Sequence, residues 1–251
     1  MEYELEYRLT EKARSLISHG EQKSFRTFKI CGLTDGELNE LLAGVELGRD
    51  AEFSISSQYP DLILHLTVIG DDEQKWSGLR RRIRGVLGTH IYAEGDRELE
   101  EVVGELLLAK QQTLALAESC TGGYLSHRIT RVAGSSAYYF GGVVTYSNEA
   151  KMLFLGVKSA TLEQHGAVSR DTALEMSRGI RQRTGASIGI SVTGIAGPSG
   201  GSIEKPVGTV WISIEQEGYH EARRFQLQGE RERIILGASQ AALDWLRHCL
   251  L

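Results

Sequence analysis

The pattern of apolar and polar positions first predicts a compact α+β module near the start of the chain. A strand over residues 24–33 alternates its side chains with a period near two. A helix follows it, with Thr34 as the N-cap and Glu37 as the capping-box partner. Two strands around a turn, a second helix and a short edge strand complete a β-α-β-β-α-β order, at residues 52–70, 72–88 and 89–92.

The second half of the chain alternates short apolar strands with helices. The predicted strands lie at residues 113–118, 142–146, 187–193, 207–214 and 220–227, and the predicted helices at 98–110, 124–133, 147–156, 169–184 and 232–249. Ser147 and Ser169 are the predicted N-caps of the third and fourth of these helices, and Gly185 closes the fourth. Strands that alternate with helices are typical of an α/β sheet covered by helices on both faces. We therefore predict a three-layer α/β/α sandwich beside a smaller N-terminal α+β domain.

A polar stretch at residues 93–101, AEGDRELEE, is the candidate linker between the two halves. It divides the chain into an N-terminal arm over 1–20, an α+β domain over 21–95 and an α/β domain over 96–251. The arm has the composition of a short polar helix, and its sequence indicates no role for it.

Composition narrows the class of protein. The chain has 251 residues, of which 41% are hydrophobic and 24% charged, the balance of a globular protein rather than a disordered one. Its three cysteines, Cys31, Cys120 and Cys249, lie far apart, which excludes a disulfide framework and suits a reducing cytoplasm. Because the histidines are isolated and no apolar run approaches roughly 20 residues, we expect a cytoplasmic protein without a metal, cofactor or membrane contact.

Charge argues against a nucleic-acid partner. Through Glu98 the chain carries 13 Lys and Arg against 18 Asp and Glu, and the remainder is neutral. A nucleic-acid binder normally presents a basic face, because phosphate neutralisation supplies most of its affinity. The one basic cluster, at residues 80–84, falls in an amphipathic helix and is interpreted as a solvated face.

The first turn whose residues could take part in binding or catalysis is ESCTGG, residues 118–123, between a buried strand and a helix. Free N–H groups and the helix dipole at such a turn favour an anion or a developing oxyanion. The alternative is a helix N-cap whose glycines serve only the tight turn. Ser119 is not part of an SxxK or a GxSxG sequence, so this turn carries neither of those two serine-hydrolase signatures.

Two further turns follow strands of the same predicted sheet. The segment YSNEAK, residues 146–151, places Lys151 on the first turn of a helix, where the dipole disfavours a cation. Together with burial this would lower the lysine pKa and create a usable base; the alternative is an exposed lysine without a special role. The loop at 194–201 leads into a strand, so it is not a dinucleotide fingerprint; a phosphate-binding or carboxamide-binding loop and a plain wide turn both stay open.

Taken together, the three turns resemble a known family. The runs LALAESCTGG, VVTYSNEAK and SVTGIAGPSGG are similar to the C-terminal domain of the CinA family, the nicotinamide mononucleotide deamidases, over about residues 100–250. Residues 20–95 resemble the KH-type middle domain of full-length members. The resemblance implies conversion of the mononucleotide to nicotinate mononucleotide and ammonia. The molybdopterin-binding-like domain of full-length members is not found here, so we expect no pyrophosphatase activity.

The resemblance also assigns roles to residues. It implies a nucleophilic Ser119 and a basic Lys151, with Tyr146 as a relay or orienting group. The candidate substrate-binding residues are Thr121, Gly122, Gly123, Gly194, Gly197 and Arg231. The family segment GDRxxIR corresponds to GERERII at residues 229–235, with Glu230 in place of Asp and Ile235 in place of the final Arg. A different substrate or weakened activity is therefore an open alternative.

Two rival functions remain open at this stage. The altered GERERII segment favours a nucleotide-sensing or interaction module without turnover. The family's association with competence and DNA damage, with the basic cluster, would favour nucleic-acid binding. A working KH domain clamps nucleic acid with a GxxG loop, whereas residues 32–36 place three residues, one of them acidic, between two glycines. We therefore expect a structural or dimerising module, a homodimer and a small-molecule mononucleotide substrate.

Overall fold

The computed structural model describes residues 23–70 and 72–251, so the predicted N-terminal arm lies outside the described residues. The first region follows the predicted β-α-β-β-α-β order. Its elements are β1 Lys23–Ile30, α1 Asp35–Leu42, β2 Ala51–Gln58, β3 Asp61–Ile69, α2 Glu73–Leu87, a 3₁₀ turn Gly88–His90 and β4 Ile91–Glu94.

These elements form an antiparallel sheet in the order β2-β3-β1-β4. The predicted capping box is confirmed, because the Thr34 side chain accepts from the Glu37 N–H and the Glu37 carboxylate accepts from the Thr34 N–H. Buried apolar residues of β1, β3 and both helices make one core, with Phe28, Leu64 and Trp76 among them. The sheet is thus held by hydrophobic burial against its two helices.

The second region carries a mixed five-stranded sheet. Its elements are α3 Leu99–Ala109, β5 Leu114–Glu118, α4 Tyr124–Arg131, a 3₁₀ turn Ser135–Ala137, β6 Tyr139–Val144, α5 Asn148–Leu155, α6 Ser159–His165, α7 Arg170–Thr184, β7 Ile188–Gly194, β8 Thr209–Gln216, β9 Tyr219–Gln226 and α8 Arg231–Leu250. The strand order is β6-β5-β7-β8-β9. Strand β5 is parallel to β6 and β7, whereas β8 and β9 are antiparallel.

Alternation along β5 produces the predicted three layers. Leu114 and Leu116 pack with α3, α4 and α8, whereas Ala115 and Ala117 pack with α5, α6 and α7. Since successive side chains of a strand point to opposite faces, one short apolar run serves two cores. Within the described residues no helix, including the 20-residue α8, is long and apolar enough to cross a membrane.

Several predicted boundaries differ from the structure. Strand β6 covers Tyr139–Val144 rather than 142–146, because Tyr139 already pairs with Leu114 although two glycines follow. Helix α6 was not predicted, since seven residues are too few to show a helical period. Of the candidate linker, only 95–98 lie outside β4 and α3. The division into domains at that point stays a prediction.

Candidate functional site

The three candidate turns meet at one edge of the large sheet. Strands β5, β6 and β7 are parallel and adjacent, so their carboxyl ends, Glu118, Val144 and Gly194, lie side by side. The Ser119 N–H donates to the Val192 carbonyl at 2.9 Å, which extends the β5–β7 ladder by one residue. This is the edge at which α/β sheets normally bind ligands.

Ser119 and Lys151 form a direct pair at this edge. Lys151 Nζ donates to Ser119 Oγ at 3.0 Å and to the Thr145 carbonyl oxygen at 2.7 Å. Both residues are buried, with 7% of Ser119 and 1% of Lys151 exposed. The sequence-predicted nucleophile and base, 32 positions apart in the chain, are therefore within hydrogen-bonding distance of each other.

The surroundings of Lys151 favour its neutral form. Burial lowers the pKa of Lys151 below its ordinary value, and the nearby Cys120 opposes this shift. Ser147 caps α5 by accepting from the Ala150 N–H, as predicted, so Lys151 lies on the first turns of a helix. In the described chain neither Glu118 nor Glu149 forms an ion pair with it. A lysine so placed can exchange a proton with the adjacent serine.

Glu118 is a site residue that the sequence analysis did not identify. Its buried carboxylate accepts from the backbone N–H groups of Gly123, Leu125 and Ser126 at 2.8–3.1 Å and from Ser126 Oγ at 2.6 Å. Its carbonyl oxygen accepts from the Thr145 N–H at 2.7 Å. A lone acid at the end of an otherwise apolar strand was the available signal.

This contact changes what the ESCTGG turn can bind. Glu118 occupies N–H groups at the start of α4 that were expected to be free, and the Gly122 N–H donates to the Ser119 carbonyl. Among the described residues, no other residue accepts from the N–H of Cys120 or Thr121, and the Cys120 N–H contacts only the thiol of its own residue. The turn therefore offers two backbone donors beside Ser119. Gly123 has φ +97°, which explains why glycine caps this helix.

Arg231 connects the second and third turns. Its guanidinium donates to the Gly197 carbonyl at 2.8 Å and to Tyr146 Oη at 2.9 Å. Tyr146 is 64% exposed, and its hydroxyl is bonded to Arg231 rather than to Ser119 or Lys151 within the described residues. The predicted Tyr146 thus lies at the site as a partner of Arg231.

A cavity of about 1130 Å³ opens beside this cluster. The predicted residues in its lining are Thr121, Gly122, Gly123 and Arg231, and the other lining residues include His127, Ala196, Pro198, Val207, Glu230, Glu232 and Ile235. The Thr121 hydroxyl is buried and has no hydrogen-bond partner in the described protein, which suits a ligand group.

Five predicted residues lie outside the cavity lining, namely Ser119, Tyr146, Lys151, Gly194 and Gly197. Gly194 is packed against β8, where an added Cβ would lie 2.8 Å from the Thr209 carbonyl oxygen. Its absent side chain therefore permits close strand packing rather than ligand contact.

The cavity wall is not strongly basic. Arg231 is accompanied by the carboxylates of Glu230 and Glu232, and Ile235 supplies an apolar surface where the family pattern has an arginine. The two departures from the family segment, Glu230 and Ile235, therefore both lie in the cavity wall. Among the described residues, no group of three or more acidic, histidine or cysteine side chains is arranged to hold a metal ion.

Comparison with known proteins agrees with the resemblance. The model of the CinA C-terminal domain matches residues 96–250. A CinA-like protein of Geotalea daltonii is 41% identical over 244 residues, covering 94% of this chain and 59% of the relative. A CinA-like protein of Geobacter sulfurreducens is 43% identical over 227 residues, covering 88% and 55%. The chain thus spans just over half the length of these relatives.

Solved structures extend the comparison to three dimensions. The competence/damage inducible protein CihA from Agrobacterium tumefaciens is 40% identical, with a TM-score of 0.57 and coverage of 62% of this chain and 96% of that one. A CinA superfamily protein from Klebsiella pneumoniae is 39% identical, with a TM-score of 0.59 and coverage of 61% and 98%. The KH-like character of the N-terminal region stays a prediction. The chain belongs to the CinA family.

Proposed function

We propose that the chain is an amidohydrolase that converts nicotinamide mononucleotide to nicotinate mononucleotide and ammonia. The observation that carries the proposal is the buried contact of 3.0 Å between Ser119 Oγ and Lys151 Nζ. A serine hydroxyl is a weak nucleophile until an adjacent base takes its proton. A buried lysine with a lowered pKa supplies that base.

The chemistry begins with Lys151 in its neutral form. One of its N–H bonds is held by the Thr145 carbonyl, which leaves the nitrogen lone pair available to the Ser119 hydroxyl. Ser119 Oγ attacks the carboxamide carbon while its proton passes to Lys151 Nζ. The ammonium then returns that proton to the amide nitrogen as the C–N bond breaks, so ammonia leaves and an ester on Ser119 remains.

Water completes the reaction. It attacks the ester carbonyl and gives one proton to Lys151, and this proton passes to Ser119 Oγ as the carboxylic acid departs and loses its remaining proton to water. Each tetrahedral intermediate places negative charge on the carbonyl oxygen, for which the N–H groups of Cys120 and Thr121 are suitable donors. The loss of one such donor typically costs about 2.7–4 kcal/mol of transition-state stabilisation.

The phosphate of the substrate is assigned to Arg231. A guanidinium that lines the cavity, and whose other N–H bonds have no acceptor among the described residues, is suited to a phosphate. Tyr146 and the Gly197 carbonyl hold that guanidinium in place. In this proposal Tyr146 orients Arg231 rather than relaying a proton.

The test is ammonia release from the purified protein incubated with nicotinamide mononucleotide. We expect release from the wild type and none from Ser119→Ala. Ser159→Ala, an exposed serine on α6, is the matched control and should retain full turnover. The absence of ammonia at high enzyme concentration, or unchanged turnover in Ser119→Ala, would overturn the proposal.

One observation favours a second candidate, a nucleotide-binding protein without turnover. Ile235 and Glu230 line the cavity where the family pattern has an arginine and an aspartate, so phosphate recognition is altered. This candidate expects mononucleotide binding by calorimetry with no product formed. Nucleic-acid binding has less support, because Arg80 and Arg84 of the basic cluster both form ion pairs with Glu94.

A further inference from the structure

Helix α8 connects the candidate site to the N-terminal region. Its first residue is Arg231, whose guanidinium reaches the cavity. Further along, the helix contacts the turn between β2 and β3. The Arg233 guanidinium lies over the Tyr59 ring, 3.8 Å from its centroid, and Gln240 Nε2 donates to an Asp61 carboxylate oxygen. Helix α8 thus carries both a residue of the candidate site and the surface on which the turn between β2 and β3 packs.

The Tyr59 ring is held closely against α8. A Cβ added at Gly237 would overlap the Tyr59 hydroxyl, so the ring approaches the helix backbone where no side chain intervenes. Residues 233, 237 and 240 are spaced by four and three positions, which places them on one face of a helix. The turn therefore lies along a stripe of α8.

Arg233 also contacts the loop that precedes α8. A Cβ added at Gly229 would collide with the Arg233 side chain, so this side chain packs on the loop before α8. Gly229 lines the cavity, as Arg231 does. The Arg233 side chain is thus held between the Tyr59 ring and the segment that leads into the site. Moving one of these groups would disturb the other.

We propose that Tyr59 is a positioning residue for Arg231. The proposal rests on the proposed function in one respect, the assignment of the substrate phosphate to Arg231. No described residue of the N-terminal region lines the cavity, so the effect passes through Arg233 and the first turn of α8. Tyr59 reduces the motion of that turn and thereby holds Arg231 against Gly197 and Tyr146.

Kinetics of two variants separate this role from general packing. Tyr59→Ala removes the ring and should raise KM for the mononucleotide about fivefold to tenfold while kcat changes less than twofold, because binding energy is lost and the chemistry is untouched. Tyr59→Phe keeps the ring over Arg233 and should retain the wild-type KM. An equal KM in Tyr59→Ala and wild type would overturn the proposal.

A double-mutant cycle tests the route. In an Arg231→Ala background, where the phosphate contact is already lost, Tyr59→Ala should have no additional effect on KM. Independent, multiplying effects of the two substitutions would show that Tyr59 acts elsewhere, and would overturn the assignment to Arg231.

Hydrogen exchange supplies a readout that needs no substrate. In Tyr59→Ala we expect faster amide exchange over residues 229–236 and unchanged exchange over 241–250, at the far end of α8. Unchanged exchange over 229–236 would overturn the proposal even if ammonia is released. If the wild type releases no ammonia, the proposed function fails, while this exchange pattern still decides whether Tyr59 positions the turn.

Discussion

The two regions of the molecule differ in what they bury. Among the described residues before position 96, Lys29 is the only polar or charged residue that is buried, and it donates to Glu98 in the segment between the regions. The C-terminal region buries many such residues, with Glu118, Thr145 and Lys151 among them. The first core is apolar throughout, whereas the second contains a hydrogen-bonded polar network.

This difference indicates that the apolar core of the N-terminal region serves stability, whereas the polar network of the C-terminal region serves chemistry. A buried polar group costs about 1–3 kcal/mol when it lacks a partner, so a fold retains such groups only when they are bonded or functional. In the C-terminal region the bonds of Glu118 and Lys151 converge on Ser119 and its turn. The core of the N-terminal region is held by hydrophobic burial, and this region contacts α8 through Tyr59 and Asp61.

The largest effect is expected at Lys151. Replacement by arginine puts a permanent charge where Lys151 acts as a neutral base, and it removes the ability to accept a proton, because guanidinium stays protonated. We expect kcat to fall by about 10²–10⁴, the range for a general base, with mononucleotide binding retained. Lys151→Met should show the same loss without a buried charge. Steady-state kinetics and calorimetry on both variants provide the measurement.

The lowered pKa of Lys151 also predicts how turnover depends on pH. Because burial lowers the pKa of Lys151, the neutral form is present at lower pH than for an exposed lysine. Turnover should fall as the pH drops through that pKa, since protonation removes the base. A near-normal kcat in Lys151→Arg would instead remove Lys151 from the proton transfer and leave it a structural cation.

An intermediate effect is expected at Glu118. Glu118→Gln puts an NH₂ donor beside the N–H groups of α4, so at least one hydrogen bond is lost and the Ser119 turn shifts. We expect a loss of kcat of about tenfold to hundredfold, the scale of a small misplacement of reacting groups, and a smaller change in KM. Kinetics at one pH are sufficient to measure the loss.

Glu105→Gln is the matched control for this substitution. Glu105 is an exposed acid on α3 that pairs with Arg97 at the surface, so its replacement should leave kcat unchanged. Full activity in Glu118→Gln would mean that the turn is held by its backbone contacts alone.

The smallest effect is expected at Asp61, in the turn between β2 and β3 of the N-terminal region. Burial raises the pKa of Asp61 from its ordinary value of 3.8 to about 6. Between about pH 4 and pH 6 the Asp61 carboxyl therefore stays protonated in the folded chain, whereas it is ionised in the unfolded chain. The stability that Asp61 contributes is complete below about pH 4 and is lost as the pH rises through 6.

Asp61→Asn removes this titration and can still accept from Gln240. We compare the Tm of Asp61→Asn minus the Tm of the wild type at two pH values. This difference should be larger at pH 7 than at pH 4 by about 2–4 °C, with kcat unchanged. Asp50→Asn, an exposed acid paired with Lys75, should show no such trend. A constant difference between Asp61→Asn and wild type over that range would contradict the raised pKa.

Much of the local structure was predictable from short-range signals. Thr34, Ser147 and Ser169 each cap the helix that the sequence indicated, because an N-cap hydrogen bond involves residues only two or three positions apart. Helix α7 ends at Thr184 before Gly185, as predicted. The predicted bounds of strand β6 were less accurate, since they depend on pairing with β5 and not on the strand's own glycine-rich sequence.

The sequence by itself determined the order of the elements except α6, the two apolar faces of β5 and the residue types available at each turn. Only the tertiary structure decided that Lys151 reaches Ser119, that Glu118 occupies the start of α4, and that Tyr59 packs on α8. The physical reason is the range of the interactions. Caps and alternation act over a few residues, whereas these contacts depend on strand order and on how helices pack across the sheet.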